Sequence, residues 1–74
     1  MILHPIQSSN LRKVGYDDDQ RVLYVQFNQG DVYAYYAVPR HLYNELLAAQ
    51  PHPWTTWGRT IRASFVYQRL GRAA

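Results

Sequence analysis

Four arginines, Arg59, Arg62, Arg69 and Arg72, stand in the last part of the chain, where residues 59–74 hold no acid. A guanidinium is always charged and presents a planar fork of donors that matches phosphate oxygens. The residues before Arg59 carry four bases and five acids, so the net charge of +3 belongs to the C-terminal end. The chemistry this offers is grip on a polyanion. Phosphates would be neutralised by Arg59, Arg62 and Arg69, with Lys13 and Arg40 as additions. The plainer alternative is a solvated run that keeps the protein dissolved. A second group is aromatic. Tyr24, Tyr33 and Tyr35 fall in two segments that alternate like strands, with Lys13 in the segment before them. Tyrosine on a sheet surface can stack on unpaired bases, form a subunit interface, or be shielded by another part of the chain.

Other chemistries find little support. His4, His41 and His52 lie far apart, with no Cys, Asp or Glu at metal-ligand spacing, and the chain has no cysteine. Asp17, Asp18 and Asp19 are adjacent, but the spread ligands, glycine and closing glutamate of a calcium loop do not follow, so a turn is expected there. Ser8 and Ser9 lack a nucleophile-elbow pattern, and Gly15, Gly30, Gly58 and Gly71 are too scattered to form a phosphate loop. The expectation is a non-enzymatic protein without cofactor, metal or small-molecule substrate.

The elements that must position these residues follow from patterning. At 74 residues the chain is one domain. No apolar run approaches a membrane span, and the opening Met1-Ile2-Leu3-His4-Pro5 is too short for a signal peptide, so a cytoplasmic protein without membrane contact is expected. Residues 1–10 read as an extended lead-in and Leu11 to Tyr16 as a first strand. Arg21 to Asn28 and Asp31 to Val38 alternate and are rich in Val, Tyr and Phe, the pattern of a hairpin turning at Gln29-Gly30. A two-residue turn would pair Phe27 with Val32, Val25 with Ala34 and Leu23 with Tyr36. One face would then be apolar and include Val14, and the other would carry Tyr24, Tyr33, Tyr35, Gln26 and Lys13. Arg12 falls on the core side of this scheme, which calls for a bulge near Gly15 or an edge position.

Pro39 suits the first turn of a helix. Leu42, Tyr43, Leu46, Leu47 and Ala49 form an apolar stripe over residues 40–49, and Pro51 and Pro53 stop it. The last third fits two periods. A short helix over Thr55 to Arg62 and an extended segment over Ser64 to Arg69 are expected, with Trp54 and Trp57 in the core. The fold class is therefore α+β: a three-stranded antiparallel β-meander, one main helix, a short second helix and an extended C-terminal segment.

Several segments, in order, resemble one family. Ser8-Ser9-Asn10-Leu11, Val14-Gly15-Tyr16-Asp17, Leu23-Tyr24-Val25-Gln26-Phe27, Gly30-Asp31-Val32-Tyr33-Ala34-Tyr35, Val38-Pro39 and Leu46-Leu47-Ala48-Ala49 are similar to the KTSC domain, a short domain named for the C-terminus of some lysyl-tRNA synthetases. The resemblance spans about residues 7–70. It includes the family's Tyr-x-Tyr pair, Tyr33 and Tyr35, and later Ile61-Arg62 and Phe65. Gln50-Pro51-His52-Pro53-Trp54 departs from the pattern, and Gly58 stands where the family carries Asn. The resemblance implies a nucleic-acid partner, RNA by its link to the synthetases.

The residues lead to a non-catalytic nucleic-acid-binding protein. If the tyrosine face pairs two copies as a homodimer, the duplicated arginines would match the pseudo-two-fold of duplex DNA, which favours DNA and a regulatory or architectural role. If that face is open, single-stranded RNA is the better ligand. The rival from another class is a protein-interaction module that uses the aromatic sheet face.

Overall fold

A computed structural model describes residues 2–72; Met1, Ala73 and Ala74 lie outside the described residues. The elements in chain order are β1 (His4–Pro5), β2 (Leu11–Asp17), β3 (Val22–Phe27), β4 (Asp31–Tyr35), α1 (Arg40–Ala48), α2 (Pro53–Ser64) and β5 (Tyr67–Arg72). The class is α+β with an antiparallel sheet, as expected, but the sheet has five strands rather than three, in the order β1-β2-β3-β4-β5. The two additional strands flank the expected meander in the sheet, β1 within the expected lead-in and β5 overlapping the expected extended C-terminal segment. β1 is two residues long and has no room for a period. β5 buries no residue, so main-chain pairing with β4 holds it and no apolar alternation marks it.

The β3–β4 register corrects the expected one by a single residue. Leu23 pairs with Tyr35, Tyr24 with Ala34, Val25 with Tyr33 and Gln26 with Val32. The cause is the connection, which spans Asn28, Gln29 and Gly30 instead of two residues. The Gly30 amide donates to the Phe27 carbonyl at 2.8 Å, and Gly30 takes φ 105°. A tight turn followed by a left-handed glycine is a common three-residue hairpin link. A shift of one residue moves every following side chain to the other face. Tyr33 and Tyr35 therefore share the helix side with Leu23 and Val25, while Tyr24 stays on the opposite side with Ala34. The bulge also lies elsewhere than expected. It falls between Leu11 and Lys13, not at Gly15. The displaced Arg12 turns its Nη2 to the Asn28 carbonyl at 2.7 Å.

Both helices lie on the Leu23/Val25 side. Leu42, Tyr43 and Leu46 from α1 and Trp54 and Ile61 from α2 pack with Leu11, Val14, Leu23, Val25 and Tyr35 as one core. α2 is longer than expected and longer than α1. It begins at Pro53, because proline is accepted at the first helical position, and runs on to Ser64. Its Trp54 is buried and its Trp57 half-buried against the core. The Asp17-Asp18-Asp19 stretch forms the expected turn, with Asp17 Oδ1 accepting from the amides of Asp19 and Gln20 at 3.0 and 3.1 Å.

Candidate functional site

Alternation along β4 sends Asp31, Tyr33 and Tyr35 to the same side of the sheet at roughly 7 Å intervals. β5 runs beside them, with Tyr67 opposite Tyr35 and Arg69 opposite Tyr33. The Tyr67 ring lies 5.4 Å from that of Tyr35 and 5.9 Å from that of Tyr33, centroid to centroid. Phe27 meets Tyr33 edge-on at 5.5 Å, and Trp54 backs both Phe27 and Tyr35 at 5.3 and 5.9 Å. Arg62, in the last turn of α2, completes the arrangement from above. The result is an open cleft of about 420 Å³ lined by Phe27, Gln29, Asp31, Tyr33, Tyr35, Arg62, Tyr67 and Arg72. A shallower hollow of about 330 Å³ adjoins it, lined by Arg59, Arg62, Ala63 and Tyr67.

Burial pushes the Tyr35 phenol up to about 12, against the pull of the nearby Arg62 cation. Tyr35 is therefore a neutral hydrogen-bonding group at physiological pH, not a phenolate nucleophile. Asp31 accepts from Arg69 Nη2 at 2.9 Å, and Arg72 Nε stands 3.8 Å from the same oxygen. Arg62 Nε donates to the Gly58 carbonyl at 3.4 Å, which turns the guanidinium back along its helix. Among the described residues, Arg59 and Arg62 have no carboxylate partner.

The structure gathers some of the expected site residues and separates others. Arg59 and Arg62 are three apart on α2 and project together. Arg62 lines the cleft with Tyr33 and Tyr35, and Arg59 lines the adjoining hollow with Arg62 and Tyr67. Arg69 is close by but occupied by Asp31. Arg40 is remote: it pairs with Asp18 at 2.7 Å and lies over the Tyr16 and Tyr43 rings at 5.6 and 5.5 Å. Lys13, opposite Gln26, and Tyr24, opposite Gly15, are on the sheet side away from the helices. The three tyrosines thus do not share a face, and no single surface of Tyr24, Tyr33 and Tyr35 exists for stacking or dimerisation. Phe27, Gln29, Asp31 and Tyr67 lie outside the expected site, and Arg72, read from the sequence only as part of the basic run, joins it. The signal for Asp31 was present in the Asp31-x-Tyr33-x-Tyr35 alternation, whereas Tyr67 sits in a strand without a period. Among the described residues, no group of three or more His, Cys, Asp or Glu could hold a metal ion, and no helix is long and apolar enough to cross a membrane.

Comparison with known proteins points in one direction. The KTSC domain profile matches residues 7–65. An uncharacterized protein of Stutzerimonas stutzeri is 48% identical over 44 residues, 60% of this chain and 62% of that protein, so less than two thirds of that relative's length is spanned. A protein of Tsukamurella paurometabola is 38% identical over 48 residues, 65% of this chain and 72% of the relative. The crystal structure of a KTSC domain protein from Yersinia pestis superposes with a TM-score of 0.86 at 27% identity, over 95% of this chain and 97% of that one.

Proposed function

The chain belongs to the KTSC domain family, and we propose that it is a non-catalytic nucleic-acid-binding protein whose ligand is an unpaired strand. The observation that carries this reading is the juxtaposition of an open aromatic cleft with Arg59 and Arg62, two cations free of carboxylate partners among the described residues. The arginines neutralise consecutive phosphates, and the tyrosine rings receive a base by stacking, worth about 1–3 kcal/mol per base. Base faces are hidden within a duplex and exposed in a single strand, so the cleft favours unpaired DNA or RNA. The case for duplex DNA rested on a dimer built through a shared tyrosine face. With Tyr33 and Tyr35 beside α2 and Tyr24 behind the sheet, that support falls away.

Fluorescence anisotropy with labelled single-stranded DNA, single-stranded RNA and duplex DNA, each at two salt concentrations, tests the reading. Both single strands are expected to bind more tightly than the duplex, with affinity falling as salt rises by a slope of about −0.7 per phosphate contacted. Tighter binding of the duplex would remove the preference for single strands. No binding at low salt would remove the nucleic-acid reading altogether.

One observation favours a second reading. Val66, Tyr67 and Leu70 are exposed on or next to β5, at the sheet edge. An edge strand with apolar side chains can take up a further strand from a partner protein or a second copy. Under that reading the cleft arginines aid solubility only, and the binding series fails for every nucleic acid.

A further inference from the structure

Resting on the reading that the cleft receives an unpaired nucleotide, we propose that the base it selects is guanine, recognised by the carboxylate of Asp31. The cleft, at about 420 Å³, is within the roughly 300–1,000 Å³ range of small-molecule sites. The buried Tyr35 forms its floor, and the more exposed rings of Phe27, Tyr33 and Tyr67 are open to any base and do not discriminate. Discrimination needs a polar group with a fixed donor or acceptor character. Asp31 is the only carboxylate in the lining among the described residues. It is acceptor-only when ionised, with about four lone-pair sites. Arg69 and Arg72 approach one oxygen, Oδ1, and hold the group in place. The side chain keeps 28% of its surface exposed, so the carboxylate can still be reached.

Guanine alone among the common bases sets two donors, N1–H and the N2 amino group, side by side on one edge. Adenine and cytosine set an amino donor beside a ring-nitrogen acceptor, and uracil and thymine set N3–H between two carbonyls. Each of these brings an acceptor against the carboxylate. The two guanidiniums in the lining, Arg62 and Arg72, also decide against a different occupant. Aromatic walls with one carboxylate would suit a quaternary ammonium, but two fixed cations repel it and favour a ligand that carries phosphate.

The test uses the full chain and labelled oligothymidylate strands with one central residue replaced by deoxyguanosine, deoxyadenosine, deoxycytidine or deoxyinosine. The deoxyguanosine strand is expected to bind roughly tenfold more tightly than the deoxyadenosine and deoxycytidine strands. Inosine keeps N1–H and lacks the amino group, so it should lose most of that gain. Asp31→Asn should abolish the preference. Arg40→Gln, which breaks the ion pair with Asp18 away from the cleft, should retain the guanine-to-adenine ratio. Equal affinity for all four strands, inosine binding as well as guanine, or an unchanged preference in Asp31→Asn would each overturn the proposal while leaving strand binding intact. Failure of every strand to bind would instead overturn the nucleic-acid reading. If Asp31→Asn does not fold, the inosine comparison on the unaltered protein decides.

Discussion

Tyr35 is 1% exposed, yet it lines the cleft, and its environment has a consequence that alkaline titration can read. Burial raises its phenol to about 12 and raises those of Tyr16 and Tyr43 above their usual value of 10.0. In the unfolded chain each ionises near 10. The folded state therefore holds its protons longer, and the stability this represents is complete below pH 10 and lost as pH climbs toward 12. The urea midpoint should stay level from pH 7 to about 9 and fall from about 10 upward, and Tyr35→Phe should reduce that fall. A fall that begins below pH 9 would contradict the burial. The arginines separate at the same scale. Arg62→Ala should flatten the salt dependence of strand binding by about 0.7, the loss of one phosphate contact. Arg69→Ala should change it less, because Asp31 already engages that guanidinium at 2.9 Å. Equal effects would place Arg69 on the ligand.

Among the elements, α2 serves two roles, closing the core with Trp54 and Ile61 and carrying Arg62 to the cleft and Arg59 to the hollow beside it. Gly58 makes this helix fit. A Cβ there would stand 2.9 Å from the Trp54 indole, whose ring packs flat against the glycine one turn on. Alanine has the better helix propensity by about 1 kcal/mol, but the indole would have to move. Gly58→Ala should therefore destabilise by about 1–3 kcal/mol in urea melts and shift Trp fluorescence. A gain in stability would show that the indole yields easily. Leu46→Ala, at a fully buried position of α1, should cost about 2–5 kcal/mol by the same assay. α1 was legible because Leu42, Tyr43 and Leu46 repeat at helical spacing. The strands β2 to β4 were legible from their alternation. The pairing of β3 with β4 was not, since Asn28, Gln29 and Gly30 can close a hairpin in more than one way and the choice sets which face Tyr33 and Tyr35 occupy. The extended run over Ser64 to Arg69 was legible, but its pairing with β4 as β5 was not, because Gln68, Arg69 and Arg72 bury nothing. The cleft shared that fate: Arg59 and Arg62 were found from charge alone, whereas its composition depends on the register and on β5.

Across the whole molecule the acidic turn and the cleft lie apart. The acidic turn, Asp17 to Asp19, adjoins the start of β3, and Phe27, on the cleft, ends it. The strand spans about 17 Å between those points, around twice the ~8 Å screening length of physiological salt. Asp18→Asn with Asp19→Asn should accordingly change strand affinity less than twofold at 0.15 M salt and strengthen it more clearly at low salt, by anisotropy. A large effect at 0.15 M would mean that the ligand reaches the acidic turn. The sheet order places one wall of the cleft, Tyr67, on the outermost strand. Outer strands with few buried side chains are the first to fray, and their amides exchange with solvent through local rather than global opening. Occupancy of the cleft would clamp this wall, so the amides of β5 would slow their deuterium uptake on binding while those of β3 stayed as they were. The recognition surface would then double as a fastener for the most loosely held part of the sheet.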